Sequence, residues 1–249
     1  MIHKAIYWLI MTAILLGLYS AAWAGTDPDA RALLEKVDRL YRAETSEARI
    51  TMKITTPDWE RELKIRAWTR GMKKTFMRVL APKKDEGVAT LRVGSEMWNY
   101  FPKINKVVKV PPSMMMGSWM GSDFTNDDLV REVSLVEEYD VTMKTEETAY
   151  VLTLVPKENT PTVWGRIDVT IDKKTTLPME QVYYDEKGAR IRVMRLKNIR
   201  DFGGRRVPSV MELVPLNKPG HNTTVTYDSA SFNIAVDDEV FSLRNLQKK

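Results

Sequence analysis

Apolar and polar residues alternate along most of the chain after residue 45. The clearest early examples place apolar side chains at every second position, at Ala48, Ile50, Met52 and Ile54 and again at Leu63, Ile65 and Ala67. A period of two with one polar face is typical of antiparallel strands that pack on one side only. Further candidate strands lie at 73–80, 87–93, 95–101, 105–110, 138–145, 148–155, 165–172, 179–185, 189–200, 205–214 and 221–232.

Turn signals separate many of these strands, for example Asp85-Glu86-Gly87 and Glu186-Lys187-Gly188. Such short hairpin connections link strands that are neighbours in a sheet. The pattern therefore predicts a mainly β (α+β) fold built on one large, strongly curved antiparallel sheet. No internal repeat or long linker divides the chain, and we expect a single domain over residues 25–249.

A different pattern precedes the strands. Residues 27–44 (DPDARALLEKVDRLYRAE) carry an apolar stripe with helical spacing, formed by Ala30, Leu33, Leu34, Val37, Leu40 and Tyr41. Asp27 can cap such a helix and Pro28 suits its first turn. We expect one amphipathic helix that buries its stripe against the sheet.

Residues 1–24 have the features of a secretory signal. Lys4 supplies a basic start, 5–18 (AIYWLIMTAILLGL) is apolar, and Ala22-Trp23-Ala24 is an A-x-A cleavage site. The apolar run is shorter than the roughly 20 residues of a membrane-spanning helix. The chain has no cysteine, so an exported form lacks disulfides. These features together favour a bacterial periplasmic protein that is soluble after cleavage.

Residues 111–131 interrupt the strands with an unusual composition. The stretch PPSMMMGSWMGSDF combines methionines and aromatic residues with Pro, Gly and Ser. Thr125 and Asp128 have the spacing of a capping box, which predicts a short helix that continues through Leu129 and Val130. Methionine is a flexible apolar side chain that suits adaptable binding surfaces, so we interpret this methionine segment (residues 111–131) as a lid. The alternative is that its side chains fill one end of the core.

Residues for catalysis or metal binding are scarce. The predicted mature chain has a single histidine, His221, beside Pro219-Gly220, and no thiol, metal-ligand cluster or phosphate-binding loop. The formal net charge is +5, but acidic and basic residues are interleaved, which argues against a nucleic-acid footprint. We expect neither an enzyme nor a cofactor. An envelope hydrolase would require polar groups, including His221 or an aspartate, to converge in a cavity.

Two further stretches, 97–103 (MWNYFPK) and 106–110 (KVVKV), lie close to the methionine segment. With that segment and the signal-helix-strand order, they resemble the LolA-like outer-membrane lipoprotein-sorting proteins over essentially the whole predicted mature chain. The resemblance implies an open, unclosed β-barrel whose concave face is covered by helices. It also implies a periplasmic carrier that shields the acyl chains of lipoproteins in transit to the outer membrane.

We therefore expect an acyl-binding cavity beneath the methionine segment. Its candidate ligand-binding residues are Met114, Met115, Met116, Trp119, Met120 and Phe124 of the segment and Trp98 and Tyr100 of the preceding strand. Because side chains alternate along a strand, Met97 and Phe101 are the alternative to Trp98 and Tyr100. The family uses an arginine to hold its lid closed, and Arg61, Arg66 and Arg70 are all candidates here.

The expected partners are an acylated lipoprotein or lipid, an inner-membrane exporter and an outer-membrane acceptor, with transient membrane contact and no nucleic acid. The alternative function is an envelope-stress sensor or an accessory subunit of a lipid exporter, binding lipid or a partner protein in the same cavity. A sensor would require a second apolar patch away from the methionine segment.

Overall fold

The computed structural model describes residues 28–41, 43–130 and 135–248. The predicted signal segment and the capping residue Asp27 lie outside these described residues. Thirteen strands form one sheet: β1 Thr45–Thr55, β2 Glu60–Arg70, β3 Lys74–Ala81, β4 Ala89–Val93, β5 Glu96–Phe101, β6 Lys106–Lys109, β7 Tyr139–Thr145, β8 Ala149–Pro156, β9 Arg166–Asp172, β10 Pro178–Tyr184, β11 Arg190–Phe202, β12 Arg205–Pro215 and β13 Asn222–Phe232. The predicted strands are therefore confirmed, with bounds that differ by a few residues.

The strand order is β6-β5-β4-β3-β2-β1-β13-β12-β11-β10-β9-β8-β7, and every pair is antiparallel. Strands that are neighbours in the sheet are consecutive in sequence, except for the pair β1 and β13. Strands β6 and β7 form the two edges and do not pair, so the sheet is curved but not closed. The predicted open antiparallel barrel is confirmed.

The sheet has an inner face and an outer face, which the strand registers identify. Ala48, Ile50 and Met52 of β1 oppose Ala67, Ile65 and Leu63 of β2, and these apolar side chains are buried on the inner face. On the outer face, a C-terminal segment packs over Phe76, Leu91 and Tyr100 through Phe241 and Leu246. That segment contains a 3₁₀ helix, Asp238–Phe241, and the short helix α4, Leu243–Leu246.

Helix α1 spans Pro28–Asp38 and packs on the inner face of β7–β9 through Ala30, Leu34 and Val37. The predicted helix extended to Glu44, so this prediction was wrong at its C-terminal end. Leu40 and Tyr41 belong to a separate cluster with Leu177, Phe202 and Val207. Tyr41 also stacks on Tyr227 of β13 at 5.3 Å between ring centroids. These contacts direct the chain away from the helix axis and into β1.

Two further helices lie in the part of the chain that connects the edge strands β6 and β7. Helix α2 covers Asn126–Val130, as the capping box predicts, and helix α3 covers Leu135–Glu138 immediately before β7. The sequence pattern did not predict α3. Val136 of α3 is buried in the same cluster as α1, so α1 and α3 together cover the inner face near β7.

Candidate functional site

A cavity of about 360 Å³ lies on the inner face of the sheet, between its two halves. Most of its wall is apolar and comes from strands β1–β3 and β9–β13, represented by Ala48, Ile50, Ala67, Met77, Ile167, Met194, Met211 and Leu213. The other side is formed by Phe124, Asp128 and Leu129 from the methionine segment and by Tyr41 and Leu135. Its volume falls at the low end of the roughly 300–1,000 Å³ that is usual for ligand pockets.

The methionine segment crosses the open side of the sheet as a consequence of the strand order. It leaves β6 at one edge, and the chain reaches β7 at the other edge. Here the connection passes over the inner face, where Met115, Trp119 and Phe124 pack in the cluster of β1 and β2. The described part of the segment contains a 3₁₀ helix at Pro112–Met114, a bridge between Ser118 and Thr125, and α2.

Trp119 anchors the segment to the sheet. Its side chain is 5% exposed and lies in the cluster formed by β1, β2, Val79 and Met97. The indole nitrogen donates a hydrogen bond to the hydroxyl oxygen of Thr90 on β4 at 3.1 Å. A buried indole normally has such a partner. Trp119 is therefore part of the core beneath the segment.

The three consecutive methionines face different ways. Met115 packs against the cluster that contains Trp119. Met114 and Met116 are 58% and 46% exposed, so the segment presents two large flexible apolar side chains to its surroundings. Met120 and Phe124 are partly buried against the same cluster as Met115.

Asp128 and Arg192 form a buried ion pair between the segment and the sheet. Both guanidinium Nη atoms of Arg192 donate to the Asp128 carboxylate, at 2.8 and 2.6 Å. The side chain of Arg192 is 7% exposed and that of Asp128 20%. Asp128 also accepts hydrogen bonds from the backbone nitrogen and hydroxyl of Thr125, at 2.8 and 2.9 Å. One carboxylate thus caps α2 and ties it to β11.

This arrangement shifts both pKa values. Burial by itself would raise the pKa of Asp128, but the hydrogen bonds and charge of Arg192 and the bonds from Thr125 hold it below its usual range. Burial would likewise lower the pKa of Arg192, but the hydrogen bonds and charge of Asp128 raise it above its ordinary value. Both groups are therefore ionised at neutral pH.

Other contacts also join the segment to the sheet. Arg92, buried in β4, donates to the carbonyl oxygen of Leu129 at 3.3 Å. The backbone nitrogen of Asp123 donates to the hydroxyl of Thr223 on β13, and that hydroxyl donates back to the Asp123 carboxylate at 2.8 Å. Arg61 donates to the carbonyl oxygen of Met120 at 3.2 Å.

Of the three arginines named from the sequence, Arg61 is the one that contacts the methionine segment. Its guanidinium also pairs with Asp85 at 2.8 Å. Arg66 pairs with Glu47, and Arg70 contacts Val236 and Asp238 near the C-terminal segment. Sequence reasoning missed Arg92 and Arg192.

Of the eight predicted ligand-binding residues, one, Phe124, lines the larger cavity of about 360 Å³. Trp98 and Tyr100 lie on the outer face of β5 with Phe76, Leu91 and Phe241. Met97 and Phe101 share the inner face, where Met97 packs in the cluster of Trp119. The structure therefore places the alternative pair on the side of the methionine segment. Phe101 and Met120 border a second, smaller cavity of about 280 Å³ with Arg61, Lys84 and Lys103.

His221 lies near the methionine segment but not in a catalytic arrangement. Its Nδ1 atom is 3.9 Å from a carboxylate oxygen of Asp123, whose other oxygen accepts the hydrogen bond from Thr223. In a hydrolase triad the imidazole stands between the nucleophile and the carboxylate. Here the carboxylate stands between the hydroxyl and the imidazole, and His221 does not line the larger cavity.

The described residues contain no group of three or more His, Asp or Glu side chains placed to hold a metal ion. Within the same residues, no helix has the length and apolarity required to cross a membrane.

Several solved structures share this fold. A DUF1329 family protein from Desulfovibrio piger superposes with a TM-score of 0.80 at 20% identity, covering 89% of this chain and 99% of that one. An outer membrane lipoprotein-sorting protein domain from Vibrio parahaemolyticus has a TM-score of 0.75 at 19% identity, with 88% and 99% covered. A LolA superfamily protein from Nitrosomonas europaea has a TM-score of 0.71 at 16% identity, with 87% and 98% covered.

No curated protein matches the chain. Residues 71–248 match the model of a family whose description reads "Uncharacterized protein". This match extends from the turn after β2 through the methionine segment to the C-terminal segment. The protein therefore belongs to that family, and its fold is the LolA-like fold of the three solved structures.

Proposed function

We propose that the protein is a non-enzymatic periplasmic carrier that shields acyl chains of a lipoprotein, or of a lipid, during transfer towards the outer membrane. The observation that carries this proposal is an apolar cavity on the inner face of an open sheet, with the methionine segment crossing its open side. Phe124 and Leu129 of that segment line the cavity, so displacing the segment would open the cavity to the surroundings.

Energetics support an acyl ligand. Each methylene group removed from water contributes about 0.8 kcal/mol, and the cavity wall offers aliphatic, methionine and aromatic side chains to such a chain. A cavity of about 360 Å³ is small for a diacyl ligand, and movement of the methionine segment would enlarge it. Met114 and Met116, which are exposed, are then available to cover part of the ligand.

Two further observations support the cargo and the compartment. The similar domain from Vibrio parahaemolyticus is named for outer membrane lipoprotein sorting, which supports an acylated lipoprotein as a candidate cargo. Residues 1–24 carry the pattern of a secretory signal, which suits a periplasmic carrier that receives cargo from an inner-membrane exporter and delivers it to an outer-membrane acceptor.

The proposal is tested by narrowing the cavity. Ala67 lines the cavity on β2, and Ala67→Phe adds a ring inside it. Lys64→Phe is the matched control, because it adds the same ring to an exposed position on the outer face of the same strand. Each protein is purified without detergent, its organic extract is analysed by mass spectrometry, and the binding of a synthetic tripalmitoylated cysteinyl peptide is titrated by tryptophan fluorescence.

We expect acyl species to co-purify with wild type and with Lys64→Phe, and both proteins to bind the lipopeptide. Ala67→Phe should lose most of both signals. Equal acyl content and equal lipopeptide affinity in all three proteins would place the ligand elsewhere. A wild-type protein that binds neither the lipopeptide nor any other amphiphile would refute the carrier proposal.

A further inference from the structure

The buried ion pair of the cavity joins the methionine segment to the sheet. Arg192 belongs to the sheet, on β11, and Asp128 belongs to the methionine segment. Both side chains line the cavity, and Phe124 and Leu129 line it close to Asp128 in the sequence. A chain that enters by displacing the segment therefore moves Asp128 away from Arg192.

Arg192 is held in place independently of Asp128. Its guanidinium carbon lies 4.5 Å from the ring centroid of Trp164 and 4.2 Å from that of Tyr183. Both rings line the cavity, and Trp164 is buried. When the segment moves, the cation stays in the wall, in contact with two aromatic faces.

A cation left in this position has lost the carboxylate that neutralises it. Among the described residues, the Nε atom of Arg192 is buried and has no hydrogen-bond partner, the two Nη atoms donate to Asp128, and Tyr183 is a further hydrogen-bonding neighbour that carries no charge at neutral pH. Asp38 is the other carboxylate of the cavity wall, and it accepts a hydrogen bond from the backbone nitrogen of Val136 at 3.4 Å. Removing one partner of a buried ion pair is strongly destabilising, because the remaining charge has lost its compensation.

We propose that the ligand of this cavity is an amphiphile with an anionic head group, whose oxygens replace the Asp128 carboxylate on the Arg192 guanidinium while its acyl chain occupies the apolar wall. The planar fork of an arginine matches a carboxylate or a phosphate equally well. The proposal rests on the proposed function, because it names the ligand class for the same cavity, and it narrows that function to its lipid alternative. A neutral acyl ester or a triacylated cysteine would supply no charge to Arg192.

The test compares ligands with the same acyl chain and different head groups. The affinities of palmitate, palmitic acid methyl ester and 1-palmitoyl lysophosphatidate are measured by tryptophan fluorescence titration at fixed ionic strength. Wild type should bind palmitate or lysophosphatidate roughly tenfold to a hundredfold more tightly than the ester, the range expected for a hydrogen bond to a charged group. Preference for one of the two anions distinguishes a carboxylate source from a phosphate source.

Three variants test whether Arg192 is the source of this preference for an anionic head group. Arg192→Met should bind all three ligands with similar affinity. Arg195→Met removes a half-exposed guanidinium from the outer face of the same strand and should retain the wild-type preference. Asp128→Asn keeps Arg192 and removes its competitor, so it should bind palmitate and the ester more tightly than wild type does, with the ratio between them unchanged.

Equal affinities of wild type for palmitate, lysophosphatidate and the ester would overturn the inference, and so would an anion preference that persists in Arg192→Met. If Arg192→Met does not fold, Asp128→Asn decides the point, since an unchanged palmitate affinity would mean that ligand and Asp128 do not compete. Binding of the ester and of the tripalmitoylated peptide without any anion preference would leave the carrier proposal standing and refute this inference alone.

Discussion

At the residue scale, the capping role of Asp128 was predictable from the sequence, but its ion pair with Arg192 was not. The spacing of Thr125 and Asp128 predicts a capping box, and the hydrogen bonds confirm it. The pairing with Arg192 spans 64 residues, and no local pattern reveals such a contact. A signal was nevertheless present, because Arg192 is in phase with Met194 and Leu196 on the inner face of β11. A charge on an apolar strand face requires a buried partner.

Asp128→Asn should lower the free energy of unfolding by about 3 kcal/mol, because it leaves Arg192 buried without a counter-ion. Urea unfolding followed by circular dichroism measures this change. Asp140→Asn is the control, since Asp140 is an exposed carboxylate on β7, and its effect should be within about 0.5 kcal/mol. A loss for Asp128→Asn as small as that of the control would mean that the ion pair adds nothing net to stability.

The same pair predicts how stability depends on pH. The pKa of Asp128 is lower in the folded state than in the unfolded chain, so its contribution is fully present above the unfolded value of about 4. The contribution is lost as pH falls through the folded pKa, where the carboxyl group becomes protonated. The stability difference between wild type and Asp128→Asn should therefore be constant near neutral pH and shrink in acid. A difference that stays constant down to pH 2 would contradict this assignment.

At the scale of elements, alternation identified the strands but could not choose their inner face. Strand β5 has large side chains on both sides, with Met97 and Phe101 on one and Trp98 and Tyr100 on the other. The choice depends on what covers each face. Trp98 and Tyr100 are covered by the C-terminal segment, whose docking on the outer face is a long-range contact. The early end of α1 has a similar cause, since Tyr41 leaves the helix to stack on Tyr227.

The methionine segment combines an anchor with exposed side chains, and substitutions should separate the two. Trp119→Ala should cost about 3–5 kcal/mol of unfolding free energy, because it empties a buried site and leaves Thr90 without its donor. Met114→Ser combined with Met116→Ser should change stability by about 0.5 kcal/mol or less, as for other exposed positions. Thermal or urea unfolding measures both.

The double methionine variant also tests the role of the segment in binding. If Met114 and Met116 cover the ligand, the variant should bind the tripalmitoylated peptide more weakly while its unfolding free energy stays that of wild type. A variant that unfolds easily would assign these methionines to the core. Unchanged stability with unchanged affinity would limit the binding role to the inner parts of the segment, such as Phe124.

At the scale of the whole molecule, the number and hairpin order of the strands followed from sequence, but the pairing of β1 with β13 did not. That pairing joins the first and last strands of the chain, and turn chemistry carries no information on it. It places β6 and β7 at the two edges, so the chain between them joins opposite edges of the sheet, and its described residues 111–130 pack on the inner face through Trp119 and Phe124. The position of the methionine segment over the cavity is thus a consequence of topology.

If the segment is the gate of the cavity, tying it to the sheet should block ligand entry. Asp123 and Thr223 join the segment to β13 through two hydrogen bonds, so their side chains are close enough for Asp123→Cys with Thr223→Cys to form a disulfide. The native chain has no cysteine, and the engineered pair is therefore the only one that can form. The oxidised protein should take up the tripalmitoylated peptide far more slowly than the reduced protein, in a stopped-flow fluorescence assay.

The control disulfide joins Thr153→Cys and Asp168→Cys, a directly opposed pair on the outer face of β8 and β9. It cross-links the sheet without touching the segment, so uptake should be the same in its oxidised and reduced forms. Reduction of the Asp123–Thr223 disulfide should restore wild-type uptake, which excludes damage to the fold. Equal uptake rates for the oxidised and reduced Asp123–Thr223 variant would show that the ligand enters by another route, and the gate would then have to be sought at the sheet edges, β6 and β7.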